Sequence, residues 1–147
     1  MVRGCEKSVK EAQKNIVLSL FIRSIEAIIE EKRKNPKFKT KLSKFNIKIN
    51  FGLQIEKDVY IWFYFISDDG GVDISQGKLE EDYDLVIMAV PEDLMFFTNG
   101  ENSLIHMLFK KNKFGKKKLQ IKKGTTGRNL KKVKKIPGIF RIDNKKT

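Results

Sequence analysis

The chain has 147 residues, 40% of them apolar and 33% charged, with a formal net charge of +13. That length suits a single domain with one sizeable core, and the lone Cys5 rules out an internal disulfide, which favours a reducing compartment over secretion. The first residues lack the apolar stretch of a signal peptide, and the longest apolar run, residues 16–22, falls far short of the ~20 residues that cross a bilayer, so a soluble cytoplasmic protein is expected.

In chain order, residues 6–34 form a predicted helix. Val9, Ala12, Ile16, Val17, Leu20, Phe21, Ile25, Ile28 and Ile29 recur at close to the helical period. Between Ile16 and Ile22 the apolar band widens almost all round, which predicts burial on more than one side. Asn35-Pro36 is the stop, and residues 37–44 read as a basic connector. Residues 45–55 alternate apolar and polar, the pattern of a half-exposed strand. A tight turn at residues 56–58 leads into Val59–Ile66, whose two faces are both apolar or aromatic, which predicts a central strand. Asp68-Asp69-Gly70-Gly71 is a strong turn signal, and a third strand over residues 72–79 completes an antiparallel meander.

Tyr83 to Val90 is the fourth strand. Pro91-Glu92-Asp93 then opens a short helix, Pro supplying the fixed backbone angle of a first turn and the carboxylates its favoured charge. Asn99-Gly100 ends that helix. A second apolar helix follows at Leu104–Phe109, then a basic loop and a fifth strand over residues 118–122. A last helix is predicted over residues 128–135, stopped by Pro137-Gly138, with residues 138–147 as a loose tail. The fold class is therefore α/β (α+β), with a five-stranded, mostly antiparallel sheet covered by a long helix and three shorter ones. It forms one domain over 1–147 with its core at about 6–137.

Charge is segregated along this order: residues 1–55 carry +8, residues 56–100 carry −9 and residues 101–147 carry +14. Such a basic end attracts nucleic acid, anionic lipid or acidic small molecules. Catalytic constellations are scarce. His106 and Cys5 are the only residues of their types, which leaves no Cys/His zinc site, and His106, beside Ile105 and Met107, reads as a satisfied, partly buried helical residue rather than a base. Acidic residues such as Asp68, Asp69, Asp73 and Asp82 match no calcium loop, and no Walker or dinucleotide motif is present. No metal, cofactor or enzymatic activity is expected. Gly124-Thr125-Thr126-Gly127 follows a strand and precedes a helix. It reads either as an amide cradle for a phosphate, helped by Lys122, Lys123, Arg128 and Lys131, or as a plain turn with Thr as N-cap.

Several of these residues, in this order, carry a resemblance. They are Trp62 in the second strand, Asp84-Leu85-Val86-Ile87 in the fourth, Glu92-Asp93-Leu94 opening the helix, Gly100 between helices, Lys118 through Gly124 as the last strand, and Asn129-Leu130 beyond. Over residues 6–137 the chain resembles the sterol carrier protein-2 family. The resemblance implies an apolar tunnel between sheet and helices that takes fatty acid, fatty acyl-CoA or sterol, in a domain that does no chemistry itself. Expected lining residues are Phe63, Phe65, Leu94, Phe97, Leu104, Met107, Leu108 and Phe109. Lys122, Lys123, Arg128 and Lys131 would meet an anionic head group, a CoA phosphate or an anionic membrane. Two departures stand out: in the second short helix Met107 replaces a small residue, which would narrow the tunnel, and the Pro of the family's Asn-Pro pair is absent, while residues 110–117 lengthen the usual tight turn. The alternative function is nucleic-acid binding through the Lys-rich end, with Phe114 as a stacking residue.

Overall fold

The computed structural model describes residues 2–141, and side chains in the first helix from Gln13 onward; Cys5, Val9, Ala12 and the last six residues of the expected tail lie outside the described side chains. Helix α1 spans Val2–Lys32 and a second helix, α2, spans Pro36–Ser43. The strands are β1 (Ile47–Glu56), β2 (Val59–Asp68), β3 (Gly71–Gln76), β4 (Leu85–Ala89) and β5 (Gln120–Lys123). Helices α3 (Pro91–Thr98) and α4 (Leu104–Phe109) lie between β4 and β5, and a 3-10 turn (Leu130–Lys135) runs into α5 (Ile136–Phe140).

The five strands form one sheet in the order β3-β2-β1-β4-β5. Only the β1–β4 pair is parallel. The middle position thus belongs to β1, not β2. Ile49, Phe51 and Leu53 of β1, Phe63 and Phe65 of β2, and Leu85, Ile87 and Ala89 of β4 are all at 0% exposure. They alternate with their neighbours along each strand, so one face of the sheet is the core face. Phe51 and Phe63 are register partners on that face and stack at 5.0 Å between centroids.

The opposite face explains the aromatic tips of β2. Tyr60, Trp62 and Tyr64 are half-buried there rather than covered. Trp62 lies against Gly52, where a Cβ would come within 2.9 Å of its ring, and Lys78 sits 4.3 Å above that ring. Asn50 anchors the chain that follows β3 by accepting from Leu79 N and donating to Leu79 O.

Two expectations need correction. Residues 37–44 are helical because Asn35 caps the N-terminus through Lys37 N and Pro36 occupies the first turn. Two apolar residues, Phe38 and Leu42, fall one turn apart and bury. The chain also does not loosen after Pro137. Proline sits in the first turn of α5 and so permits the helix, while Ile139 and Phe140 are 0% and 2% exposed. Phe140 meets Phe65 edge-on at 4.9 Å, so the core extends beyond residue 137.

Part of the charge segregation cancels in space. Lys48 Nζ donates to Asp82 Oδ2 at 2.7 Å, a bond that holds Asp82 below the usual carboxylate range and Lys48 above its own.

Candidate functional site

Helix α1 packs on β2 and β3, and α3 packs on β1 and β4; both touch α5. A cavity of about 290 Å³ remains between the two helices. Phe51 and Phe63 floor it, Leu20, Phe21, Ile25 and Ile28 of α1 form one wall, Leu94 and Met95 of α3 the other, and Phe140 lies at its α5 side. Polar lining is limited to Ser24, Thr98 and Asn99. Leu20 and Met95 are 59% and 50% exposed, so the cavity opens to solvent along the α1–α3 seam.

This geometry revises the reading of the broad apolar band on α1. Leu18, Ile22, Ile25 and Ile29 face the core, but Ile16 and Leu20 are exposed. The second apolar side is a cavity rim, not a second buried surface. That rim was missed in the sequence although the band itself is visible there.

Of the expected lining residues, Phe63 and Leu94 stand on the cavity wall. Phe65 and Phe97 are sealed in the core behind it, at 0% and 1% exposure. Helix α4 does not contribute a wall. Met107 is fully buried, and its carbonyl accepts from Leu119 N, pinning α4 beside β5; it does not narrow the cavity. Leu104 and Leu108 are half-buried, while Phe109 is 71% exposed. His106 is exposed rather than partly buried.

Lys122, Lys123, Arg128 and Lys131 are exposed and stand off the cavity. Arg128 lies 3.9 Å from Asp82. The glycine motif nearby is not a phosphate cradle. Gly124 N, Thr126 N and Gly127 N already donate to Asp84, Tyr83 and Gly124 carbonyls. Thr126 Oγ1 donates to Asp84 Oδ1 at 2.6 Å, and the other carboxylate oxygen accepts from Lys48 N at 2.9 Å. The motif fastens the starts of β1 and β4 to the end of β5. Phe114 is half-buried with Lys113 Nζ 5.2 Å above its ring, so its face is occupied.

A second recess, of mixed polar and apolar lining, adjoins the cavity and shares Val17 with it. Gln54, Glu92, Asp93, Lys111, Lys113 and Lys118 line it. Asp93 is 6% exposed and its carboxylate stands 4.0 Å from Lys118 Nζ. Burial pushes its carboxyl above the usual carboxylate range, against the pull of Lys118.

Among the described residues no group of three or more His, Cys, Asp and Glu side chains is placed to hold a metal ion, and no helix is long and apolar enough to cross a membrane.

A five-stranded sheet with all its helices over one face and an apolar cavity beneath them defines a small-domain α/β class with known solved members. Sterol Carrier Protein 2 from Yarrowia lipolytica, in its apo form, matches with a TM-score of 0.58 and 17% identity, covering 83% of this chain and 88% of that one. A UbiJ-SCP2 ubiquinone synthesis protein matches at 0.59 and 13%, covering 86% and 94%. The sterol carrier protein domain 2 of Helicoverpa armigera matches at 0.54 and 13%, covering 83% and 90%. The chain therefore has the sterol carrier protein-2 fold. No protein-family model matches the sequence, and no curated protein matches it at a significant level.

Proposed function

We propose that the protein is a non-catalytic carrier of an apolar ligand, bound in the cavity between α1 and α3. The observation that carries this reading is an apolar cavity left open at a rim of exposed Leu20 and Met95. Monomers rarely leave apolar surface exposed beside a cavity without a use for it. The structural neighbours, sterol carrier proteins and a ubiquinone synthesis protein among them, support the same reading by fold.

Size restricts the ligand. Small-molecule sites run from about 300 to 1,000 Å³, and this cavity lies at the lower end of that range. A single acyl chain fits that space better than a sterol. Each methylene withdrawn from water contributes about 0.8 kcal/mol, and micromolar affinity needs about 8 kcal/mol. About ten buried methylenes reach that value before the cost of immobilising the chain. The exposed cations Lys122, Lys123, Arg128 and Lys131 supply attraction to an anionic membrane from which such a ligand is drawn. The protein works in the cytoplasm.

Titration with a fluorescent fatty acid tests the reading. Trp62 lies on the far face of the sheet, so the probe's own emission is the readout. Saturable binding in the micromolar range is expected, and Ser24→Trp, which fills the mouth from α1, should reduce it at least tenfold. A flat probe signal at micromolar lipid would remove the carrier function.

A further inference from the structure

A recess with charged side chains in its lining lies beside the cavity. Along α3 the lining changes from Glu92 and Asp93 in the recess to Leu94, Met95, Thr98 and Asn99 in the cavity. Along α1 Val17 belongs to both, and Leu20 to Ile28 continue the cavity alone. The α1–α3 seam thus gathers its charged side chains at one end, while the cavity lining is mostly apolar with only the uncharged Ser24, Thr98 and Asn99 among it, a pattern that suits an amphiphile laid lengthwise.

The polar end carries two kinds of unfulfilled capacity. Lys111, Lys113 and Lys118 line a recess of about 460 Å³; Lys113 Nζ rests over the Phe114 ring and Lys118 Nζ beside Asp93, both held only by weak or long contacts. The amides there are already committed: Gln54 donates to Lys57 O and accepts from Asn112 Nδ2, and Asn112 Oδ1 accepts from Phe114 N and Lys116 N. Asp93 is the exception. Its carboxylate has Lys118 as an ion-pair partner at 4.0 Å, but it accepts no hydrogen bond among the described residues, and its oxygens are not fully shut off from solvent. A carboxylate with solvent access and no protein hydrogen-bond donor is free to accept from a ligand hydroxyl.

Resting on the carrier reading, we infer that the recess holds the head of a single-chain amphiphile bearing both an anionic group and a hydroxyl. The anion lies against Lys118, Lys111 and Lys113, and the hydroxyl donates to Asp93. A lysophospholipid of the phosphatidic type has this chemistry; a fatty acid has the anion without the hydroxyl, and a monoacylglycerol has hydroxyls without the anion.

Displacement of the fluorescent fatty acid by four competitors tests it: lysophosphatidate, its analogue lacking the glycerol hydroxyl, monoacylglycerol with the same chain, and glycerol 3-phosphate. Lysophosphatidate should compete about tenfold better than either chain-bearing analogue, and glycerol 3-phosphate should not compete. Lys118→Met should abolish the preference over monoacylglycerol and leave monoacylglycerol itself unaffected. Asp93→Ala should abolish the preference over the deoxy analogue. If Lys118→Met does not fold, Lys113→Met should halve the phosphate preference or more. Equal competition by all three amphiphiles overturns the head-group site and leaves the carrier reading intact. Competition by glycerol 3-phosphate alone makes the recess a separate phosphate-ester site and also overturns it. A probe that never binds overturns both.

Discussion

Lys32 Nζ donates to the carbonyl oxygen of Gly138 at 2.8 Å, joining the last residue of α1 to α5 across 106 positions of sequence. The same ammonium donates to Ile139 O at 3.1 Å and Arg141 O at 2.8 Å, and it lies 4.6 Å from the Phe38 ring centroid. The end of a helix leaves carbonyls without partners, and here a nearly buried cation, 6% exposed, satisfies them. Lys32→Met should therefore lower stability by about 2–4 kcal/mol, since hydrogen bonds to charged groups are each worth about 1.5–3 kcal/mol and orphaned carbonyls add to the loss. Urea unfolding measures it. An unchanged midpoint would mean that α5 docks through Ile139 and Phe140 alone.

Gly124 and Gly127 bracket the same loop but fail for different reasons when substituted. A Cβ on Gly124 would run into the carbonyl of Tyr83 and the backbone of Asp84, which are held in place by the hydrogen bonds of the β4–β5 edge. Gly124→Ala should cost about 1–3 kcal/mol, the range for forced overpacking. Gly127 has φ +64 and open space around it, so Gly127→Ala should cost about 1–2 kcal/mol from backbone strain alone. Thermal unfolding of the two variants, with amide exchange along β5, separates them: only the Gly124 substitution should speed exchange at Ile121 and Lys123.

Asp93 makes stability depend on pH. Burial, with the Glu92 charge beside it, outweighs the opposing pull of Lys118 and His106, so its folded carboxyl titrates above 3.8. Between that ordinary value and the raised one the folded state holds more protons than the unfolded chain. Stability from this group is thus greatest at acid pH and falls as pH rises through that window. Asp93→Asn removes the buried charge and should be more stable than the parent at pH 7, with the difference closing by about pH 3, below the unfolded carboxyl. Urea midpoints at several pH values show it; a gap that does not change with pH would rule the account out.

Phe140 both closes the core and lines the cavity. Phe140→Ala should lower stability by about 3–5 kcal/mol, the usual cost of such a deletion, while enlarging the cavity next to Phe51 and Ile28. The variant should gain affinity for longer acyl chains relative to shorter ones, measured by displacement of the fluorescent fatty acid. Loss of affinity for every chain length in a folded variant would separate Phe140 from the ligand.

Local chemistry determined much of this molecule. The Asp-Gly turn after β2 and the Pro-Glu-Asp start of α3 each act over a few residues and appear in the structure where the sequence places them; β1 also stands where its alternation places a strand, but as the middle strand of the sheet it is buried from Ile49 to Gln54 instead of half-exposed. Elements with weak apolar signals were harder to read. Helix α2 shows only Phe38 and Leu42 among lysines, and Pro137 looks like a stop until its place in the first turn of α5 is known. The cavity was legible only as an unusually broad band on α1. Which residues of that band would face the core, which would rim an opening, and that α3 rather than α4 would supply the far wall depended on where the helices came to rest over the sheet. Likewise nothing local brings Lys118 to Asp93, or the recess to Val17. Periodicity records which side of an element is apolar, but the space left between two elements depends on long-range packing, and here that space is the site.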